Sequence, residues 1–134
     1  MSSISAIALS GMQAALQRVT AAASNIANAR SSGPLPGAAN AANYPPPYSP
    51  VEVVQSPVLG GGVLARIVPS PTAPVPTYDP DAPYADSQGM VATPDVDIAH
   101  EILNLFTARQ NFAANLMVLR TESAMYAALF DIKA

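Results

Sequence analysis

Cysteine and tryptophan are absent from this chain of 134 residues, and its only aromatic residues are five tyrosines and three phenylalanines. The absence of cysteine excludes disulfide frameworks and thiolate chemistry. Half of the residues are nevertheless apolar, so burial depends mainly on alanine, valine, isoleucine, leucine and methionine. Such a composition favours close packing of helices over a bulky pocket, and the length allows one domain with one modest core.

Charge is also scarce. Six basic and nine acidic residues give a formal charge of −3, without the basic stripe that binding to phosphates requires, so nucleic acid is not an expected partner. The stretch Met1–Gln17 is uncharged but lacks the basic start of a signal peptide, and we interpret it as mature sequence. No membrane-spanning helix is expected, because Arg109, Arg120 and Glu122 interrupt the C-terminal apolar run.

Proline is absent from both ends of the chain. All 14 prolines lie between Pro34 and Pro94. Proline lacks a backbone donor and has a restricted φ angle, so this middle part cannot be helical. The pattern divides the chain into an N-terminal helical segment (1–30), a proline-rich middle (31–94) and a C-terminal helical segment (95–134).

The C-terminal segment has the strongest helical pattern. Neither glycine nor proline occurs between Asp95 and Asp131, and apolar residues recur there at steps of three, four and seven. We predict one long helix with Thr93 as its N-cap and Pro94 as its first residue. Its apolar face is wider than a narrow seam and must be covered by other helices. That face contains Ile102, Leu103, Leu105, Phe106, Phe112, Leu116, Met117, Leu119, Tyr126 and Phe130.

A second helix is predicted over Ser3–Ala29, where apolar residues follow heptad steps. Alanines surround this line and Gly11 lies within it. A neighbouring helix axis could therefore approach closely, although the glycine costs about 1 kcal/mol in helix propensity. The predicted seam consists of Leu9, Met12, Leu16, Val19, Ala23 and Ile26.

The proline-rich middle contains two short segments, Val51–Gln55 and Val63–Val68, that have the composition of strands. The three glycines at 60–62 would join them into a hairpin. The fold class expected from the sequence is therefore mainly α. Long N- and C-terminal helices would form a coiled-coil pair, and a small middle lobe, part β-hairpin and part irregular, would lie at one end of the pair.

No catalytic or metal-binding pattern stands out. His100 is the only histidine, and with Asp97 and Glu101 it could form at most a weak metal site. An exposed first-turn histidine beside two acids is the simpler interpretation. The aspartates between positions 79 and 86 lack the spacing of a calcium loop and fit turns before proline. We expect no enzymatic activity, no cofactor or metal, and no small-molecule substrate.

Two groups of residues carry a family resemblance. The sequence of residues 22–29, AASNIANA, resembles the N-terminal signature of the rod, hook and hook-associated proteins of the bacterial flagellum. A second group, in the connector and the C-terminal helix, is similar in identity and spacing to the short components of the proximal rod. The residues of these motifs include Ser24, Asn25, Asn28, Tyr78, Pro80, Gly89, Pro94 and Asn115.

The resemblance implies a structural subunit of the proximal rod in the flagellar basal body. Its terminal helices would pack with copies of itself and with other rod proteins into a tube. It would leave the cytoplasm through the flagellar type III export apparatus without a cleaved signal and reside in the rod that spans the periplasm. The expected assembly interface comprises Leu9, Met12, Leu16, Val19, Ile26, Ile102, Leu103, Phe106, Phe112, Leu116 and Leu119.

Two questions stay open at this level. Asn25, Asn28 and Asn115 would cost stability on apolar helices unless they form hydrogen bonds across an interface, where they would also select its register. They could equally face solvent. The alternative function is an exported helical protein that binds one partner in a complex of fixed size, or another axial component of the rod and hook family.

Overall fold

Two helices and two small antiparallel sheets make up the fold. The computed structural model describes residues 3–132, so the ends of the terminal segments predicted at 1–30 and 95–134 lie outside the described residues. The elements are α1 (Ser3–Asn28), a short 3-10 helix (Ala41–Asn43), β1 (Val51–Pro57), β2 (Val63–Pro69), β3 (Val75–Tyr78), β4 (Met90–Thr93) and α2 (Ile98–Ile132).

The fold class predicted from the sequence is wrong. About half of the described residues are helical and 18% lie in strands, so the chain is of mixed α and β class and not a mainly α coiled-coil pair with a proline-rich middle. The sheet formed by β3 and β4 was not predicted from the sequence. In the structure Pro76 lies opposite Ala92, whose backbone N–H and C=O bond to Gly33 instead. The missing proline N–H is therefore not needed in the ladder.

The two helices run antiparallel. Ser5 Oγ donates a hydrogen bond to Glu122 Oε2 at 2.6 Å, near the start of α1 and towards the end of α2. At the opposite end of the pair, Asn25 Nδ2 donates to Glu101 Oε1 at 2.8 Å. A residue of α1 and the residue of α2 that lies opposite it therefore have numbers that add to about 126.

Small residues form the contact between the helices. Ala8, Ala15 and Ala22, spaced seven apart, are buried, whereas Leu9 and Leu16 of the predicted seam are exposed. For this half of the predicted seam, the true contact line thus lies one residue earlier than the heptad pattern indicated. Small side chains let the helix axes come close. Among the described residues of α2, the fully buried apolar one is likewise an alanine, Ala108.

The hairpin predicted from the glycine-rich turn is confirmed, since β1 pairs with β2 in antiparallel register from Val51 opposite Pro69 to Pro57 opposite Val63. It does not hang from the end of the helix pair, because it packs along α1. Val63 donates its backbone N–H to Ser10 Oγ at 3.1 Å. Gly62, at φ 95°, allows this approach, because a Cβ there would lie 2.6 Å from the same oxygen.

The helix α1 therefore lies between two layers. The strands β1 and β2 pack on one side of it and α2 packs on another, and among the named elements of residues 3–132 α2 contacts α1 alone. Over those residues, neither helix contains a stretch long and apolar enough to cross a membrane.

Asn25 joins all three layers. Its side chain is only 2% exposed. The amide nitrogen donates to Val51 O and to Glu101 Oε1, both at 2.8 Å. The amide oxygen accepts from the Val51 N–H at 2.9 Å and from the Tyr48 hydroxyl at 3.0 Å. One side chain thus completes one rung of pairing on the edge of β1 and ties that strand to both helices.

The start of α2 differs from the prediction. The helix begins at Ile98, and Asp97 is its N-cap, because the Asp97 carboxylate accepts hydrogen bonds from the backbone N–H groups of Ala99 and His100. Thr93 instead ends β4 and bonds through its hydroxyl to Thr77. Pairing with β3 keeps this part of the chain extended, so the helix starts later than the Thr–Pro pattern indicated.

Replacing Asn25 with alanine should lower the free energy of unfolding by about 3 kcal/mol, because buried partners left without hydrogen bonds cost about 1–3 kcal/mol each. Urea denaturation followed by circular dichroism measures this. Asn28→Ala is the matched control, because among the described residues the Asn28 amide bonds only to Ser24 O in its own helix, and it should cost less than about 1 kcal/mol. Equal losses for the two variants would contradict the role given to Asn25.

A double-mutant cycle tests the close approach of the helices. A Cβ on Gly11 would lie 2.6 Å from Asn115 Oδ1. Gly11→Ala should therefore be destabilising by on the order of 1 kcal/mol, because overpacking outweighs the gain in helix propensity. In an Asn115→Ala background the same change should become stabilising by up to about 1 kcal/mol. If Gly11→Ala has the same sign in both backgrounds, the two positions are not in contact.

Candidate assembly surfaces

The helix pair has one face without a covering layer. We define the open face as the surface of α1 and α2 turned away from the β1–β2 hairpin. On α1 it includes Leu9 and Leu16, of which Leu16 is 53% exposed. Met12, Val19 and Ile26 lie beside them and are half-buried along the α1–α2 contact.

The second helix contributes Ile102 and Phe106 to the open face. His100 and Thr107 line a cleft on the hairpin side of α2, and at about 100° per residue Ile102 and Phe106 project from the other side. Phe106 is 60% exposed. Leu116 extends the same strip and is half-buried. Large apolar side chains from both helices thus adjoin one another on a surface that this chain leaves in water.

Three residues of the expected interface lie elsewhere. Phe112 and Leu119 are half-buried and share the α1-facing side of α2 with the fully buried Ala108. Leu103 is exposed on the side of α2 away from α1. The structure therefore brings five of the eleven residues together on the open face, places three of α1 at its border with α2, and separates the other three from it.

A second uncovered surface lies at the end of α2. Since Glu122 is opposite Ser5, α2 residues after about 124 extend beyond the start of the described part of α1. We call residues 125–132 the overhang; it projects roughly 12 Å. Exposure rises along it, reaching 72% at Phe130 and 83% at Ile132. The exposed large side chains of the overhang are Met125, Tyr126, Leu129, Phe130 and Ile132.

The asparagines of the family motifs have different surroundings. Asn25 forms hydrogen bonds between layers, as described above. The Asn28 and Asn115 amides bond to backbone carbonyls one turn earlier in their own helices, those of Ser24 and Asn111. Asn25 alone of the three thus forms hydrogen bonds across an interface within the described chain, and sequence reasoning did not identify its partners.

The N-terminal motif also organises the loop that follows α1. The hydroxyls of Ser24 and Tyr48 are 2.9 Å apart, and Tyr48 in turn donates to Asn25. Ser31 bonds through both its N–H and its hydroxyl to Asn28 O. These contacts close the end of α1 and direct the chain back towards β1, which places the hairpin on α1.

The connector motif forms the turn between β3 and β4. Gly89 has φ 74°, and a Cβ there would lie 2.9 Å from the Tyr78 ring and 3.1 Å from Pro80. Asp86 accepts hydrogen bonds from the backbone N–H groups of Gln88 and Met90, so its carboxylate stabilises the turn. Pro94 is buried at the end of β4. This motif is a structural turn beside the start of α2.

A cleft of about 580 Å³ lies between α1, β1 and the start of α2. His100, Asp97 and Glu101 line it, but the two carboxylates already have structural roles. Asp97 caps α2, and Glu101 accepts from Asn25 and from Asn104. Among residues 3–132 no group of three potential ligands is placed to hold a metal ion. The cleft therefore presents no assembled metal centre within that range.

Comparison with known proteins gives a consistent result. No protein-family model matches the chain. The flagellar basal-body rod protein FlgC of Escherichia coli O6:H1 is 34% identical over 89% of this chain and 87% of its own length. FlgC of Salmonella typhimurium is likewise 34% identical, with the same coverage of both chains. FlgC of Agrobacterium fabrum is 33% identical over 98% of this chain and 94% of its own length.

These similarities cover most of the chain, and they confirm the relationship that the motifs indicated. With about a third of its residues identical along nearly its full length to several such proteins, the chain belongs to the FlgC family of flagellar basal-body rod proteins.

Proposed function

We propose that the chain is a structural subunit of the proximal rod of the flagellar basal body, and that it polymerises through its terminal helices into the tubular drive shaft. The observation that carries this proposal is the open face. Soluble monomers rarely leave contiguous apolar patches of this kind in water, and such patches mark interaction sites. The relatives are rod proteins by name, which supplies the identity of the assembly.

In this proposal the assembly interface comprises the open face together with Leu103, Phe112 and Leu119, which lie elsewhere on α2. Segments 1–30 and 95–134 serve assembly, and segment 31–94 forms an outer lobe. Leu9, Leu16, Ile102 and Phe106 provide the exposed centre of the interface. Their burial against helices of neighbouring subunits would contribute roughly 1.5–3 kcal/mol for each large side chain. The partners are other rod proteins and further copies of this chain.

The function needs no chemistry beyond packing. A tube that transmits torque must resist sliding between helices. Close contact through Ala8, Ala15 and Ala22 and the buried hydrogen bonds of Asn25 both oppose such sliding within each subunit. The protein is in this proposal not an enzyme, and neither a small molecule nor nucleic acid takes part.

The family resemblance also supports a route by which the chain leaves the cytoplasm. We propose that the flagellar type III export apparatus carries the chain out of the cytoplasm without a cleaved signal, and that the chain resides in the part of the rod that spans the periplasm. Expression of the chain with and without components of that apparatus, followed by fractionation of the periplasm, would test the route.

Charge on the open face should prevent assembly while leaving the monomer folded. We expect Leu16→Asp and Phe106→Asp to abolish motility in a strain that lacks the native gene, because a carboxylate buried in an apolar contact is strongly unfavourable. Both side chains are exposed in the monomer, so the unfolding midpoint should change little. The measurements are swimming in soft agar and electron microscopy of purified basal bodies.

Gln17→Asp is the matched control. Gln17 is exposed on the same helix but projects about 100° away from Leu16, so this variant should support normal swimming. Motile cells with complete rods in both the Leu16→Asp and Phe106→Asp strains would contradict the proposed use of the open face.

A further inference from the structure

The strand β1 has one edge that no other strand covers. It pairs with β2 along its inner edge, and just before it the Pro50 C=O accepts a hydrogen bond from the Ser70 N–H. Successive residues of an antiparallel strand direct their N–H and C=O groups to opposite edges. The backbone groups of Val51, Val53 and Gln55 therefore face away from β2, along the outer edge of β1.

Asn25 shows how this outer edge binds a partner. Its side-chain amide accepts from the Val51 N–H at 2.9 Å and donates to Val51 O at 2.8 Å, as the backbone of a neighbouring strand would. The next two outward-facing residues, Val53 and Gln55, lack such a partner, because within residues 3–132 their outer N–H and C=O groups form no hydrogen bond. We call these two residues the free β1 edge. Unpaired backbone groups at an exposed strand edge are a template for a further strand.

The other outer edges of the two sheets are less suited to this pairing. In β4, Ala92 already exchanges two backbone hydrogen bonds with Gly33. The outer edge of β3 contains Pro76, which has no N–H to donate. The outer edge of β2 also lacks a pairing strand among the described residues, but the only charged residue of β2 is Arg66.

The surroundings of the free β1 edge are acidic. Val53 lines the cleft of about 580 Å³ described above. Of the described residues that line this cleft, four are carboxylates and one, Arg18, is a permanent cation. The four carboxylates are Glu52, Asp95, Asp97 and Glu101. Complementary charge selects partners and orients them, so a segment that pairs with this edge gains from a basic side chain directed into the cleft.

Two of the carboxylates are available to such a side chain. Asp97 caps α2 and Glu101 binds Asn25, whereas Glu52 and Asp95 are exposed and accept no side-chain hydrogen bond from the described part of the chain. A lysine or arginine can therefore bind Glu52 or Asp95 without breaking a contact that stabilises the fold.

The composition of this chain argues against a second copy as the partner. Its extended and irregular stretches outside the hairpin, residues 31–50 and 70–97, contain neither lysine nor arginine. Arg66 is in a strand, but that strand already pairs with β1. A basic extended segment must therefore come from a different protein.

We propose that the free β1 edge binds an extended segment of another protein that carries a basic side chain. The segment adds a third strand to the hairpin by pairing with Val53 and Gln55, and its basic side chain lies in the cleft beside Glu52 and Asp95. Strand addition of this kind obtains affinity from main-chain hydrogen bonds and specificity from side-chain contacts. The site is separate from the open face and does not depend on the packing of helices.

A titration of the isotopically labelled full chain with a synthetic peptide tests the site. The probe is a blocked seven-residue peptide of alternating threonine and valine with lysine at its centre, followed by NMR of the backbone amides. We expect the largest shift changes at Val53 and Gln55. Peptides with glutamate or norleucine in place of the lysine should bind on the order of fivefold more weakly, because they lose the attraction to the carboxylates.

The backbone half of the contact is tested at Gln55. Gln55→Pro removes the outward N–H but leaves the ladder with β2 intact, so it should weaken binding about tenfold. Gln55→Ala is the matched control, because both variants lose the hydrogen bond from Arg18 to the Gln55 side chain while only proline removes the N–H. The alanine variant should bind like the native chain, and circular dichroism establishes that both variants fold.

The charge half is tested without altering the backbone. Glu52→Gln with Asp95→Asn should weaken binding of the lysine peptide on the order of fivefold and leave the norleucine peptide unaffected. Asp79→Asn with Asp81→Asn is the matched control, because it removes two exposed carboxylates that do not line the cleft. This control should bind both peptides like the native chain.

Several results would overturn the inference. These are an absence of shift changes at Val53 and Gln55 up to the solubility limit of the lysine peptide, shift changes centred on β2, or equal binding by the Gln55→Pro and Gln55→Ala variants. Equal affinity for the lysine and glutamate peptides would also contradict it. Self-association of the native chain that Gln55→Pro abolishes would assign the edge to a second copy instead. All of these measurements use the isolated chain, so they are independent of the motility results for the open face.

Discussion

The structure depends on the close approach of α1 to two neighbours at once. Ala8, Ala15 and Ala22 let α2 approach on one side, and the glycine-rich turn lets the hairpin approach on another. A larger side chain at any of these positions would separate the layers. Because the contact is made by small residues, the core is thin, and the chain has few places to bury its large apolar side chains.

The small size of the core explains why large apolar side chains lie on the surface. Leu16, Phe106 and Phe130 are more than half exposed, although residues of this kind form the core of most domains. The interior holds alanines and a hydrogen-bonded asparagine, while the bulky residues remain on the outside. Under the proposed function, these large side chains would become buried against neighbouring subunits on assembly.

Sequence reasoning succeeded where the signal was local. The helical periodicity, the confinement of proline to the middle and the glycine-rich turn between β1 and β2 each depend on neighbours in the chain, and all three correspond to elements of the structure. It failed where the structure of a segment depends on residues far away in the sequence. Val75–Tyr78 becomes a strand only because Met90–Thr93 pairs with it, and Thr93 gives up the N-cap position to Asp97 for the same reason.

The sequence by itself determined two long helices, a hairpin and membership of a flagellar family, because periodicity, turn chemistry and motifs can be read without knowing any contact. Only the tertiary structure decided which face of α1 is buried. Hydrophobicity favours the leucine line, but the axis separation that Gly11 and the alanines permit favours the small-residue line one position earlier. The tertiary structure also decided that Asn25 would be satisfied, since its partners come from two separate parts of the chain, Tyr48 and Val51 at the start of β1 and Glu101 at the start of α2.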